Sequence, residues 1–170
     1  MSLFVQIHAS LPIDEVLVSR NWAIRIHRIT EDGRAMGLAL TTPTDLENDE
    51  LSLLYADVTH AVGDLTGDDE PELVLGYRSE GTGQILDLDI VGLDESGAVE
   101  VLAHAQLYKG TARIKKGTLV TWMPIYKKSD ANCCPTWIRR DVVRYEEGAF
   151  VVHAGKKVPT AKANIPAGDL

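Results

Sequence analysis

Cysteine, aromatic residues and long apolar runs are all scarce in this chain, and each scarcity closes off a class of protein. The 170 residues contain two cysteines, adjacent at positions 133 and 134. Two neighbouring thiols are too few for a structural zinc site, and they close no long loop of the kind that staples small secreted domains. There is no Cys-x-x-Cys spacing to create a low-pKa thiol. No apolar run reaches the roughly 18–20 residues of a membrane-spanning helix, and no charged start, apolar middle and small-residue cleavage site marks a secretory leader. The serines include no Gly-x-Ser-x-Gly elbow, and the glycine-rich segment 76–83 lacks the Gly-x-x-x-x-Gly-Lys-Ser/Thr phosphate cradle. The five histidines, His8, His27, His60, His104 and His153, are scattered along the chain. No catalytic constellation is visible, and no catalytic residue is assigned.

Positive charge is also short in one region. The net charge is −8 and the sequence pI about 5.0, which excludes nucleic acid and anionic membrane as general partners, since both demand a basic surface. Between Asp45 and Glu100 there are sixteen acids and one base, Arg78; between Lys109 and Lys157 there are eleven bases and four acids. Two readings fit: faces of opposite sign held by mutual attraction, or a cation-attracting face beside a basic face that meets a partner.

What the chain does contain is a succession of short alternating strands. The residues at 22–27, Trp-Ala-Ile-Arg-Ile-His, alternate apolar and polar, the signature of a half-buried strand. Similar runs are expected at 3–9, 36–41, 51–62, 73–75, 85–93, 99–105, 112–114, 118–126, 138–145 and 149–153. Turns are expected at 31–34, 94–97, 115–117 and 146–148, each carrying a glycine. One or two helical turns are expected over 12–19, behind Pro12, and a polar loop over 42–50. In the strand from 99, Val99, Val101, Ala103 and Ala105 are expected on one face. With no long stretch of helical period, the fold class is all-β: antiparallel hairpins in one or two curved sheets, arranged as an incomplete propeller, a sandwich or an open barrel. Residues 1–155 form a single domain of a size that buries a sizeable core, and 156–170 read as a flexible tail.

The most specific stretch is residues 64–73, Asp-Leu-Thr-Gly-Asp-Asp-Glu-Pro-Glu-Leu. Asp64, Thr66, Asp68 and Glu72 fall at offsets 1, 3, 5 and 9, a spacing that lets a short loop turn hard oxygens toward one cation such as calcium. The same residues also serve an ordinary acidic turn, whose Asp and Gly answer backbone geometry. The stretch resembles the calcium loop of FG-GAP and VCBS-type repeats, the blade units of integrin-α-like propellers, which run Asp-x-Asn/Asp-Gly-Asp-Gly-x-x-Asp into an apolar strand. The resemblance implies side-chain oxygens from Asp64, Thr66, Asp68 and Glu72, a backbone carbonyl from Glu70, and a structural calcium ion. Thr66 stands where the family has Asn or Asp, Asp69 where it has glycine, and Glu72 where it has Asp.

A looser resemblance covers more of the chain. The acidic loop, the residues at 130–135, Asp-Ala-Asn-Cys-Cys-Pro, and those at 144–150, Arg-Tyr-Glu-Glu-Gly-Ala-Phe, look like uncharacterised bacterial secreted proteins and lipoproteins. Those carry Cys-Cys-Pro-Ser before a final Tyr/Trp-x-Gly-x-Phe hairpin; Thr136 stands here for the serine. The likeness implies an exported bacterial domain, extracellular or in the cell envelope, with no known enzyme activity; a cytoplasmic protein of the same fold is the alternative.

Cys133 and Cys134 are read as an inert buried pair, a vicinal disulfide or a redox pair. Trp122, Tyr126 and Trp137, near Lys115, Lys116, Lys127, Lys128, Arg139 and Arg140, are read as core or as an aromatic-basic recognition surface. The expected function is a non-enzymatic interaction or envelope-associated module, its partner a protein or envelope component of unknown identity, with a structural calcium loop. The alternative is a hydrolase of an envelope polymer, with Asp64, Asp87 and Asp89 supplying acid and base.

Overall fold

The computed structural model describes residues 2–10, 21–29, 35–41, 55–79, 81–94, 96–165 and 170. Among them run β1 (Ser2–Ser10), β2 (Asn21–Ile29), β3 (Ala35–Thr41), β4 (Tyr55–Gly63), β5 (Glu72–Ser79), β6 (Ile85–Leu93), β7 (Val99–Tyr108), β8 (Thr111–Ile114), β9 (Leu119–Ile125), β10 (Trp137–Glu146), β11 (Ala149–His153) and β12 (Lys157–Pro159), then a 3-10 turn at Thr160–Lys162. The all-β expectation holds. The expected helical turns at 12–19, the turn at 31–34 and the loop at 42–50 lie outside the described residues.

Strands β1-β2-β3 pair as one sheet, β4-β5-β6-β7 as a middle sheet, and β8-β9-β10-β11 as a C-terminal sheet with β12 also on β10. Among the described residues every strand pairing is antiparallel. Local chemistry explains the hairpins. Lys116 and Gly117 both take positive φ between β8 and β9, as do Glu147 and Gly148 between β10 and β11, so both turns have the twist that matches their strands. Between β6 and β7, Asp94 Oδ1 accepts the amides of Ser96 and Ala98 and the Ser96 hydroxyl, at 2.8, 2.8 and 2.6 Å. These bonds, the Ser96 hydroxyl foremost, hold the Asp94 carboxyl below its ordinary value.

The middle and C-terminal sheets share one core. Val74, Leu86, Leu88, Ile90 and Leu107 of the middle sheet pack with Ala112, Leu119 and Val143 of the C-terminal sheet, joined by Leu65 and Leu170. Each fully buried leucine contributes roughly 1.5–3 kcal/mol of transfer free energy. Of the three expected arrangements, the sandwich is the one observed. The crossover between the sheets is Lys109 and Gly110. A side chain at Gly110 would collide with the Leu107 side chain and the Trp122 carbonyl, so only glycine allows so close a passage. Arg78, the single base of the acidic half, reaches across to this point: its guanidinium donates to the Gly110 carbonyl at 3.2 and 3.3 Å and to the Leu170 carbonyl at 3.3 Å.

Two expectations are corrected. Val99, Val101, Ala103 and Ala105 do not share a face. Val91 pairs with Val101 but Ile90 with Ala103, leaving Leu102 as an extra residue that reverses the alternation. Ala103 and Ala105 pack on the core while Val101 is 55% exposed. The segment expected as a tail from 156 also differs: Lys157–Pro159 pairs with Trp137, Ile138 and Arg139 of β10, and Thr160 donates to the Thr136 and Pro135 carbonyls at 3.1 and 2.5 Å. Ladder bonds to β10 replace water there despite a composition poor in apolar residues.

That return is secured by Asp141, 1% exposed. One of its oxygens accepts Arg139 Nε and Nη2, at 2.9 and 2.8 Å; the other accepts the Gly155 amide at 2.9 Å. A buried carboxylate is tolerable only when so compensated. A Cβ at Gly155 would land on the Arg140 carbonyl oxygen, so position 155 must be glycine for the strap to lie against β10.

Candidate functional site

Three places gather polar chemistry. The first is the acidic loop between β4 and β5. Asp64 Oδ1 accepts the Gly67 amide at 2.6 Å and Oδ2 the Asp69 amide at 3.3 Å. Glu72 Oε2 accepts the amides of Leu65 and Thr66 at 2.6 and 3.1 Å, and Oε1 the Thr66 hydroxyl at 3.1 Å. Asp68 turns to the Glu70 amide at 2.8 Å. The structure thus brings Thr66 and Glu72 together, sets Asp64 over the tip of the loop, and leaves Asp68 and Glu70 exposed at that tip. Asp69, at φ 67, takes the left-handed turn that glycine usually makes. The carboxylates answer the loop's own backbone donors, in the manner of Asx turns. All five residues offer hard oxygen donors suited to calcium; among the described residues, no group of three or more His, Cys, Asp or Glu is arranged to hold a metal ion.

The second place is the face of the middle sheet turned away from the C-terminal sheet. Cross-strand register sets Asp87 opposite Gln106 and Asp89 opposite His104. His104 Nδ1 lies 2.8 Å from Asp89 Oδ1, and its Nε2 lies 3.9 Å from Asp87 Oδ1. Gln106 Nε2 donates to Asp87 Oδ1 at 2.9 Å. Of the three carboxylates considered for acid and base work, Asp87 and Asp89 therefore share one imidazole. Asp64 instead belongs to the acidic loop.

The third place is the loop 126–136 between β9 and β10. Cys133 and Cys134 are joined in a disulfide and exposed at the loop's tip. Two clamps hold the loop. Asp130 accepts the amides of Lys127 and Thr136 and the Thr136 hydroxyl, at 2.8, 2.8 and 2.7 Å. The Thr136 hydroxyl is therefore in use. Asn132 forms the second clamp. It accepts from Lys109 Nζ at 2.7 and 2.8 Å, from the Tyr108 hydroxyl at 3.2 Å and from the Tyr126 hydroxyl at 3.1 Å. The Lys109 ammonium lies 5.6 Å from the Tyr108 ring centre and 6.0 Å from that of Tyr126, within cation–π range. Burial pushes the Tyr126 phenol above its usual value, with Tyr108 and Asp130 adding to the shift.

The expected aromatic-basic surface is divided. Lys127 Nζ lies 5.6 Å from the Trp137 ring centre, and Tyr126 joins the Asn132 clamp. Arg139 instead turns inward to Asp141. Tyr108 and Lys109 were not singled out by sequence, and Asp130 and Asn132 stood out only as part of the stretch at 130–135. Asp130 binds three positions back and six positions on, at Lys127 and Thr136, and Asn132 is reached from Tyr108 of β7 and Lys109 of the crossover as well as from Tyr126 in its own loop.

No protein family, curated protein or solved structure matches the chain. No helix of the described residues is long and apolar enough to cross a membrane.

The Asp130 clamp predicts a pH response. The Lys127 amide, then the Thr136 hydroxyl, hold the Asp130 carboxyl below its ordinary 3.8. A group whose value is lower folded than unfolded stabilises the fold at neutral pH and loses that contribution as pH falls through its folded value. Protection of the Lys127 and Thr136 amides from hydrogen exchange is expected to fade below about pH 3.8. In Asp130→Asn the protection should already be low at pH 6 and should lose this acid transition. An identical pH profile in both proteins would remove the clamp.

Proposed function

We propose that the chain is a non-catalytic, exported β-sandwich that acts as an interaction module of the cell envelope, presenting the oxidised loop 126–136 to its partner. The observation that carries this reading is the exposed Cys133–Cys134 disulfide on a loop clamped at Asp130 and Asn132. A rigid protruding loop has already lost most of the conformational freedom that binding would otherwise remove. Disulfides persist in oxidising compartments and are rare where thiol buffers keep cysteines reduced. That chemistry agrees with the export implied by the Cys-Cys-Pro likeness.

The acidic loop takes the part of a calcium brace in this reading. The FG-GAP-like spacing supports it, as does the oxygen-only donor set of Asp64, Thr66, Asp68, Glu70 and Glu72. An ion there would stabilise the fold by mass action, about 1.4 kcal/mol at ten times its dissociation constant. In a domain of this size that corresponds to a rise of roughly 3–5 °C in Tm.

A hydrolase acting on an envelope polymer is the second reading. It is favoured by the convergence of Asp87 and Asp89 on His104, which places an acid, a base and an imidazole on one sheet face.

Three outcomes are expected. Thiol alkylation of intact cells, before lysis, should leave Cys133 and Cys134 unlabelled unless reductant is added first; full labelling without reductant would contradict export. Metal-stripped protein should gain about 3–5 °C in Tm with millimolar calcium and little with magnesium, and Asp64→Ala with Asp68→Ala should abolish the gain. Equal losses of stability with calcium or with chelator would reduce the loop to a turn. Release of soluble fragments from purified envelope polymer, lost in Asp89→Asn, would instead establish the hydrolase.

A further inference from the structure

The C-terminal sheet carries an open groove of about 400 Å³, lined by Arg113, Ile114, Lys115, Trp122, Arg140 and Asn164. Register builds it. Trp122 of β9 lies directly opposite Arg140 of β10, and Arg113 of β8 opposite Val120, one row along. Lys115 follows at the turn out of β8. Asn164 arrives from the segment just past the 3-10 turn, whose last bond runs from the Ala163 amide to the Thr160 carbonyl at 3.1 Å.

Among the described residues, three cations and no carboxylate line this space. Among the described residues, neither Lys115 nor Arg140 has an ion-pair partner. Like charges such as those of Lys115 and Arg140 repel when gathered in one groove, and a bound anion reverses the sign of that interaction. A guanidinium offers a planar fork that matches a carboxylate, while an ammonium adds a point charge. Trp122 contributes a broad apolar surface, and the Asn164 carboxamide both donates and accepts, which suits hydroxyl groups. The volume is that of a small-ligand site. The net charge of −8 opposes a long polyanion, so the ligand must be short. Acid group, hydroxyls and a ring with an apolar face occur together in a sugar acid. We propose that this groove binds a short carboxylated saccharide of one or two rings, with Lys115 and Arg140 on the carboxylates and Trp122 against a ring. The site is separate from the oxidised loop and stands whether or not that loop meets a partner.

The test is titration of the full chain, by calorimetry and by following indole N–H resonances, with digalacturonate as probe. The dimethyl ester serves as its neutral counterpart and inorganic phosphate as a plain anion. Saturable binding is expected for the diacid, weakened about tenfold or more in the ester and in Lys115→Gln/Arg140→Gln, as for lost charge-assisted hydrogen bonds. Lys128→Gln, outside the groove, should bind as the parent does. Should the double variant fail to fold, Lys115→Gln alone, at an exposed turn, carries the comparison. Absence of saturable binding, equal affinity for the ester, or an unchanged affinity in a folded variant would overturn the site. Phosphate binding as tightly as the diacid would overturn the saccharide assignment. Cys133→Ser/Cys134→Ser should bind the diacid unchanged, so failure of the loop reading and failure of the groove are told apart.

Discussion

The buried carboxylate of Asp141 is the constraint on which the C-terminal half of the molecule depends. It faces the interior from the central strand of its sheet, where an unpaired charge would be prohibitive. Arg139, two residues back on the same strand, supplies the charge, and the Gly155 amide supplies the remaining donor. Meeting that second demand draws the chain leaving β11 back across β10. Once there, residues 157–159 pair with the start of β10, and Thr160 bonds the end of the cysteine loop. One satisfied oxygen thus leads to a strand, a turn and the support of the exposed cysteine loop.

The segregation of charge along the sequence becomes a segregation between the two packed sheets. The middle sheet carries the acids and the C-terminal sheet the bases, and an apolar core lies between them. Arg78 is the exception on the acidic side, and it is used at the crossover, where the Gly110 carbonyl needs a donor. The two sheets present different chemistry: an imidazole beside the carboxylates of Asp87 and Asp89 on the middle sheet, and a basic groove with an indole on the other.

Strands and turns were legible wherever the information is local. Lys116-Gly117 and Glu147-Gly148 announce their hairpins because positive φ is a property of two residues and their neighbours. The bulge at Leu102 was not legible, since alternation from Val99 to Ala105 is equally compatible with an unbroken strand. Strand β12 was hidden for a related reason: Lys-Val-Pro has no pattern of its own and is held by β10. The site residues divide in the same way. The carboxylates of the acidic loop were visible because they are close in sequence. The clamp that unites Tyr108, Lys109 and Asn132 depends on a sheet crossover that no spacing encodes.

Lys109 does two jobs. Its backbone makes the crossover between the sheets, with φ of 51° and its amide on the Gln84 carbonyl, while its ammonium holds Asn132 in the cysteine loop. A left-handed lysine costs on the order of 1 kcal/mol or more, and glycine would relieve that cost while removing the ammonium from the Asn132 clamp. Drift at this position is therefore caught between backbone ease and side-chain reach. The sandwich joint and the loop's anchorage are inherited as a single character, and neither can be altered at residue 109 without rewriting the other.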